Sequence, residues 1–142
     1  MMRMDLKSES GTFIINQIRH SRVPGCPLKM HELPITRDIL NIALNEAKAA
    51  QAAKINTIFL VVGELSGVSS ECVRFYFDFL KKGDAAEEAT LDIRHIPAEF
   101  KCRDCQKVFS LQDSYWICPN CKSINVEILS GKECYIESLE VE

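Results

Sequence analysis

Residues 102–121 read CRDCQKVFSLQDSYWICPNC, with a Cys-x-x-Cys motif at each end and twelve residues between the two motifs. A two-residue gap lets both sulfurs of a motif bind one ion, and two motifs complete the four-coordinate shell that zinc prefers in structural sites. We therefore predict that one zinc ion binds Cys102, Cys105, Cys118 and Cys121. Because four cysteines leave no coordination position for water or substrate, this zinc is expected to be structural and not catalytic.

Redox dithiols also use the Cys-x-x-Cys motif and are the alternative interpretation of these cysteines. A redox pair normally opens a helix after a strand, because the helix N-terminus lowers the thiol pKa. Here Pro119 lies inside the second motif, and no long helical pattern follows either motif. The sequence therefore favours a metal site.

The segment around the cysteines, residues 99–130, has few large apolar side chains and is predicted to be a zinc-ribbon module that needs metal to fold. Gln106 and Lys122 follow the two motifs at a position where zinc knuckles often have glycine. We expect a positive φ at both residues, at a cost of about 1 kcal/mol each. Four thiolates around a dication leave two net negative charges, and four nearby cations either offset this charge or simply face solvent: Lys101, Arg103, Lys107 and Lys122.

The composition of the chain is that of an ordinary globular protein. Its 142 residues are 46% hydrophobic and 26% charged, with a net charge of −3, which suits one domain with a small module. No segment has the length of a membrane span or the features of a cleavable signal peptide. Cys26, Cys72 and Cys134 form no disulfide framework, so a reducing, cytoplasmic location is expected. Cys72 and Cys134 are predicted to be small core residues.

Apolar periodicity predicts two helices, from Pro34 to about Ala53 and from about Ser70 to Lys82, the second capped by Ser70. Strands are predicted at 55–62, 91–96, 126–129 and 133–141. The last strand changes its buried parity, which a bulge near Glu137 or Ser138 would reconcile. The fold class is therefore α+β: a small mixed or antiparallel sheet of about three strands with two helices, interrupted by the zinc ribbon. The main domain is expected to comprise residues 30–98 and 131–142.

Residues 1–29 show no sustained periodicity. We interpret this leader either as a disordered extension or as sequence upstream of a true start at Met30.

Four motifs, in this order, resemble those of the HypA/HybF family of nickel metallochaperones in hydrogenase maturation: MHEL at residues 30–33, VGELSGV at 62–68, the paired cysteine motifs, and SGKE at 130–133. The resemblance implies that nickel binds at Met30, His31 and Glu32. Met30 would supply its amine, His31 its backbone nitrogen and imidazole, and Glu32 a further ligand or a nearby charge. Ni(II) favours such nitrogen-rich, square-planar ligation.

The resemblance also implies partners: the GTPase of the maturation pathway, the large subunit of a [NiFe] hydrogenase and a urease accessory protein. A second copy of the chain is a further candidate partner, since the sequence leaves the oligomeric state open. The chain has no Gly-x-x-x-x-Gly-Lys-[Ser/Thr] motif and no catalytic constellation, so we expect a carrier and not an enzyme. The alternative function is a zinc-ribbon nucleic-acid or transcription-associated module, although the net charge argues against nucleic acid, as it does not suit a phosphate-binding surface. No membrane association is expected.

The chain departs from the family pattern at the predicted nickel site. With residues 1–29 attached, the nitrogen of Met30 is an amide and one strong ligand is lost. Either the working protein begins at Met30, or the extension is present and the nickel site is weakened. A third interpretation of His31 is that it only makes ordinary hydrogen bonds at the start of the helix.

Overall fold

The computed structural model describes residues 3–5, 12–16, 32–110 and 116–142. Within these residues the chain forms two helices and eight strands, which confirms the α+β class. In chain order they are β1 (Arg3–Asp5), β2 (Phe13–Asn16), α1 (Glu32–Ala49), β3 (Ile55–Gly63), α2 (Ser70–Leu80), β4 (Thr90–Ile96), β5 (Glu99–Cys102), β6 (Val108–Ser110), β7 (Val126–Ser130) and β8 (Cys134–Val141). Neither helix is long and apolar enough to cross a membrane.

The main sheet has five strands in the order β1-β2-β8-β3-β4. Its central part is mixed, because β3 pairs antiparallel with β8 and parallel with β4. The helices pack against each other and share one core with the sheet, in which Ile39 of α1, Ile58 of β3 and Phe77 of α2 are almost fully buried. The strand predicted at 55–62 is therefore an interior strand, paired on both sides.

The bulge expected in the last strand is present at Glu137. Phe59 pairs with Ser138 while the next residue, Leu60, pairs with Ile136, so Glu137 has no partner in the register. The extra residue shifts the alternation and lets Ile136 and Leu139 both face the core, where neither is exposed.

The helix ends differ from their predicted positions. The first helix begins at Glu32, which puts Pro34 in the first turn where its missing N–H costs nothing. It ends at Ala49 and not near Ala53, because Gln51 adopts a left-handed φ of 58°.

The cap of α2 is Ser69 and not Ser70, and its hydroxyl accepts a hydrogen bond from the Cys72 N–H at 3.3 Å. Either serine is a suitable N-cap by residue type. Ser69 is the cap because its backbone is extended, whereas Ser70 is already helical.

The leader contributes two strands to the sheet, at Arg3–Asp5 and Phe13–Asn16. These segments correct the interpretation of the leader as a disordered extension, and the alternative of a start at Met30 stays a prediction. Phe13 of β2 pairs with Val141 of β8, and Ile15 is completely buried in the core. The physical reason is that β8 pairs with β3 along one edge only. A short apolar strand can pair with the other edge and bury its own side chains. Apart from Thr12, the remaining leader residues, with Cys26, lie outside the described residues.

A second, three-stranded sheet in the order β6-β5-β7 is inserted between β4 and β8. Its small core is built on Phe100, which is fully buried. The Phe100 ring stacks on Phe109 with centroids 5.6 Å apart and meets Trp116 edge-on at 4.9 Å. Two buried cysteines, Cys102 and Cys118, complete this core, so the ribbon's apolar packing is joined directly to the thiol cluster.

Candidate metal centre

The four predicted cysteines form one cluster, in which all sulfur atoms lie within 4.8 Å of one another. Two close contacts join the motifs: Cys102 Sγ is 3.5 Å from Cys121 Sγ, and Cys105 Sγ is 3.5 Å from Cys118 Sγ. A tetrahedral zinc site with Zn–S bonds of about 2.3 Å has sulfurs about 3.8 Å apart. The sulfur positions therefore fit a tetrahedral ion that joins the two motifs, and none of the four residues is in a disulfide.

Each motif folds into a knuckle with the same backbone hydrogen bonds. In the first knuckle Cys102 N donates to Lys107 O, and Gln106 N donates to Cys102 O, both at 2.9 Å. The second knuckle repeats the two bonds at 2.9 Å, from Cys118 N to Ser123 O and from Lys122 N to Cys118 O. The two knuckles therefore have the same pattern of backbone hydrogen bonds.

The positive φ predicted after each motif is confirmed, at 66° for Gln106 and 63° for Lys122. This left-handed turn aims the next backbone N–H groups, those of Lys107 and Ser123, at the sulfurs of Cys105 and Cys121. The strain of a non-glycine residue in this conformation is therefore offset by a hydrogen bond to a metal-binding sulfur.

The protonation of the metal-free thiols is uneven. The backbone N–H of Lys107 and the side chain of Asn120 stabilise the Cys105 thiolate and lower the pKa of Cys105 to about 6. The backbone N–H of Ser123 also favours the thiolate of Cys121, but the hydrogen bond to Cys102, desolvation and the other neighbouring thiols outweigh it and raise the pKa of Cys121 to about 12. A dication must expel the remaining protons, so metal binding is expected to weaken as pH falls.

One contact between the knuckles was not predicted from the sequence. The Asp104 carboxylate in the first knuckle accepts hydrogen bonds from the Ser123 hydroxyl and, at 3.3 Å, from the Asn125 amide, and these bonds lower the pKa of Asp104. Of the cations considered near the cluster, Arg103 lies 3.4 Å from the Glu127 carboxylate and is paired there. The Asp104 carboxylate therefore joins the two knuckles beside the four-cysteine cluster.

The VGELSGV motif forms the junction between the ribbon and the main sheet. Leu65 N donates to Gly131 O at 2.7 Å, and the Glu64 carboxylate accepts from Ala98 N at 2.7 Å in the segment that leads into the ribbon. A Cβ at Gly63 would lie 2.0 Å from the Gly131 oxygen. Two motifs far apart in sequence, 62–68 and 130–133, therefore meet and orient the ribbon. The role of Glu64 is not evident from the sequence, because its partner Ala98 is 34 residues away.

We predict that Gly63→Ala lowers the free energy of unfolding by about 3 kcal/mol, because the added methyl overlaps a backbone carbonyl that has little freedom to move. Thermal unfolding followed by circular dichroism should show a Tm lower by about 9 °C. Gly83→Ala is the control, since Gly83 has a φ of 84° but nothing within 4 Å of a Cβ. It carries only the conformational strain of about 1 kcal/mol. Equal effects of the two substitutions would contradict the close contact at the junction.

The structure describes one of the three predicted nickel ligands. Glu32 is the first residue of α1, where its side chain is half-buried and its carbonyl oxygen accepts from the Thr36 hydroxyl at 2.6 Å. Met30 and His31 lie outside the described residues. The nickel set therefore stays a prediction.

Cys72, Cys134 and His95 lie outside the four-cysteine cluster. Cys134 is buried, which confirms its predicted core role, whereas the same prediction for Cys72 is wrong because that thiol is on the exposed side of α2. His95 is exposed, with Nε2 3.3 Å from the Ser70 hydroxyl. None of the three joins the four-cysteine cluster.

Residues 30–141 match the family model described as hydrogenase/urease nickel incorporation, metallochaperone, hypA. The chain is 42% identical to the hydrogenase maturation factor HypA of Dehalococcoides mccartyi over 113 residues, which are 80% of this chain and 95% of the relative. It is 41% identical to the protein of the same name from Caldanaerobacter subterraneus subsp. tengcongensis over 114 residues, 80% of this chain and all of the relative.

Solved structures show the same similarity. A solution structure of HypA protein superposes with a TM-score of 0.61 and 30% identity, covering 81% of this chain and 98% of that one. The solution structure of the Ni metallochaperone HypA from Helicobacter pylori superposes with a TM-score of 0.57 and 31% identity, covering 79% and 97% of the two chains.

Proposed function

The chain belongs to the HypA family of hydrogenase and urease nickel-incorporation metallochaperones, and from this premise we propose that it uses two separate metal sites. Nickel, the cargo, binds at Met30, His31 and Glu32. Zinc, the structural ion, binds at Cys102, Cys105, Cys118 and Cys121. The observation that carries the proposal is that the family match begins at Met30, the first residue of the Met-His-Glu motif.

The assignment of zinc to the cysteines rests on the geometry and chemistry of the cluster. Its four sulfurs are within 4.8 Å of one another, as a tetrahedral ion requires. Zinc accepts tetrahedral thiolate sites, whereas Ni(II) with nitrogen ligands favours a square plane. Four sulfurs fill the coordination shell, so this ion stabilises the fold and does not exchange. The nickel cargo therefore binds at other residues.

The assignment of nickel to the amino end rests on ligand chemistry. An amine, a deprotonated backbone nitrogen and an imidazole can converge within the first two residues of a chain and supply the nitrogen plane. The positive pole of α1 opposes a bound cation, so anionic groups such as the amide nitrogen and the half-buried Glu32 offset it. Histidine protonates near pH 6.5, so mild acidification should favour nickel release.

We propose partners for two functions that the chain itself does not supply, the final use of nickel and nucleotide hydrolysis. Nickel delivery needs an acceptor, for which we propose the [NiFe] hydrogenase large subunit, with a urease accessory protein as a second route. The sequence has no phosphate-binding loop motif, so nucleotide dependence would come from a partner GTPase. We further propose a non-catalytic role in a reducing, cytoplasmic compartment, which suits free thiols.

His31→Ala is expected to weaken Ni(II) binding at least tenfold, because it removes the imidazole from the nitrogen plane. Isothermal titration with nickel would measure the affinity. Elemental analysis of the same samples should find one zinc per chain in both the wild type and His31→Ala. His95→Ala is the control, since this exposed histidine belongs to β4 and not to the Met-His-Glu motif. Full nickel affinity in His31→Ala would refute the assignment.

A further inference from the structure

β4 is an edge strand of the main sheet, because among the described strands it pairs only with β3. The Ile96 carbonyl points toward β3, where it accepts at 2.8 Å from the N–H of the residue that follows β3. The Leu91 carbonyl points away from β3 and accepts from the Arg74 guanidinium of α2 at 2.5 Å. Because successive residues of a strand direct their backbone groups to opposite sides, Leu91, Ile93 and His95 present theirs at the open edge.

Cationic side chains already occupy part of this edge. Arg74 holds the Leu91 carbonyl, and Lys81, the C-cap of α2, donates to the Ala89 carbonyl at 2.9 Å. Among the described residues no hydrogen bond reaches the outward N–H or C=O of Ile93. A further strand can therefore pair with β4 from Ile93 onwards, but not at Leu91 or Ala89 while the two cations hold these carbonyls.

The cavity beside this edge has a net positive lining. Its volume is about 220 Å³, and its charged residues are Arg74, Asp78 and Lys81. Asp78 pairs with Lys81 at 3.1 Å, whereas Arg74 forms no ion pair within the part of the chain that the structure describes. Arg74 is exposed, and the Leu91 carbonyl takes up only part of its hydrogen-bonding capacity, so its remaining donors can bind an anion.

We propose that the edge of β4 binds the C-terminal end of an extended peptide that belongs to a partner protein. The peptide runs antiparallel to β4, and its last residue lies opposite Ile93. This residue donates its N–H to the Ile93 carbonyl, and its carboxylate accepts from the Ile93 N–H and from the Arg74 guanidinium. A chain that ends here fits the edge, because a chain that continued would need the Leu91 carbonyl that Arg74 already holds.

The surroundings of the edge also indicate which side chains the peptide carries. Residues directly opposite each other in two antiparallel strands place their side chains on the same face. The last residue of the peptide therefore lies beside half-buried Ile93, which packs against the main core, and an apolar side chain fits there. The peptide residue two positions earlier lies opposite His95, whose Nε2 is 3.3 Å from the Ser70 hydroxyl, and a polar side chain fits there.

Titration of the isotope-labelled, zinc-loaded chain with the peptide acetyl-Lys-Val-Thr-Thr-Val tests the site. A few hydrogen bonds and one ion pair carry the binding, so we expect a Kd of about 0.1–1 mM, with the largest NMR shifts at Ile93 and His95. The same peptide with a C-terminal amide should bind at least fivefold more weakly, because it lacks the charge that Arg74 recognises. Equal affinities of the two peptides, no binding up to about 10 mM, or shifts confined to another part of the fold overturn the proposal.

The role of the guanidinium is tested by substitution. Arg74→Gln should weaken the binding of the peptide acid at least fivefold, to about the affinity of the amide, because it removes the charge-assisted contact. The control is Arg94→Gln, which removes the same charge from β4 itself. Arg94 is paired with Glu137 at 3.2 Å, and its side chain is on the other face of the sheet, so the affinity should not change. An Arg74→Gln chain that binds the acid as tightly as the wild type overturns the proposal.

Methylation of single peptide nitrogens tests the antiparallel register. A methyl group on the nitrogen of the last residue removes the hydrogen bond to the Ile93 carbonyl and should weaken binding about tenfold or more. A methyl group on the nitrogen of the residue before it is the control, because that N–H points away from β4, and it should change the affinity by less than about threefold. Equal losses for the two methylated peptides overturn the proposed register.

Discussion

Cys118→Ser is expected to release the structural zinc and unfold the ribbon while the main domain stays folded. Cys118 is fully buried, and its sulfur is 3.5 Å from that of Cys105. A structural zinc contributes on the order of 10 kcal/mol to the folding of a small module, and serine is a far weaker ligand than a thiolate. The remaining ribbon core, built around Phe100, is too small to stay folded without the ion.

The measurement combines elemental analysis with fluorescence, because Trp116 is the one tryptophan in the sequence and contacts Phe100. We expect the zinc content to fall from one per chain to near zero and the Trp116 emission to shift to longer wavelength. Far-ultraviolet circular dichroism should retain the helical signal, since both helices belong to the other core.

Cys72→Ser is the matched control for this substitution. It exchanges the same atoms at an exposed thiol that is outside the cluster, so zinc content and fluorescence should not change. A Cys118→Ser protein that keeps one zinc and an unshifted emission would show that the ion does not need this sulfur.

The four-cysteine cluster could be predicted because residues close together in the sequence form each half of it. A Cys-x-x-Cys motif already presents two sulfurs to one point, and the left-handed turn at Gln106 follows from the knuckle itself. The bulge at Glu137 was also predictable, because a strand can bury both Ile136 and Leu139 on one face only where an extra residue interrupts its alternation.

The features that were missed depend on partners distant in sequence. The strand containing Ile15 has only four residues, too few for a recognisable period, and its partner β8 lies at the other end of the chain. The bond from Ala98 N to Glu64 likewise joins two loops that only the folded sheet brings together. Cys72 is exposed because the phase of α2 is set by Val73 and Phe77, whose burial leaves no room for it on the inner side.

The largest expected effect on nickel comes from starting the chain at Met30. A free α-amine replaces an amide nitrogen in the proposed ligand plane, and we expect Ni(II) affinity to rise about a hundredfold by titration at pH 7.5, as a strong ligand is gained. The α-amine has an ordinary pKa near 7.8, so the shortened chain should release more protons on binding and lose nickel more steeply as pH falls from 8 to 6. Zinc content should stay the same.

Removing residues 1–29 should also lower the free energy of unfolding, and this loss can be measured separately from the change in nickel affinity. It removes β1, β2 and the fully buried Ile15, so the free energy of unfolding should fall by about 3 kcal/mol or more. Ile15→Ala in the 142-residue chain should reproduce much of this loss without any gain in nickel affinity. A chain that begins with one extra glycine before Met30 should be destabilised to the same extent. Its nickel affinity should not rise, because its amine is displaced by one residue. Equal nickel affinities in the chain beginning at Met30 and the glycine-extended chain would exclude the Met30 amine as a ligand.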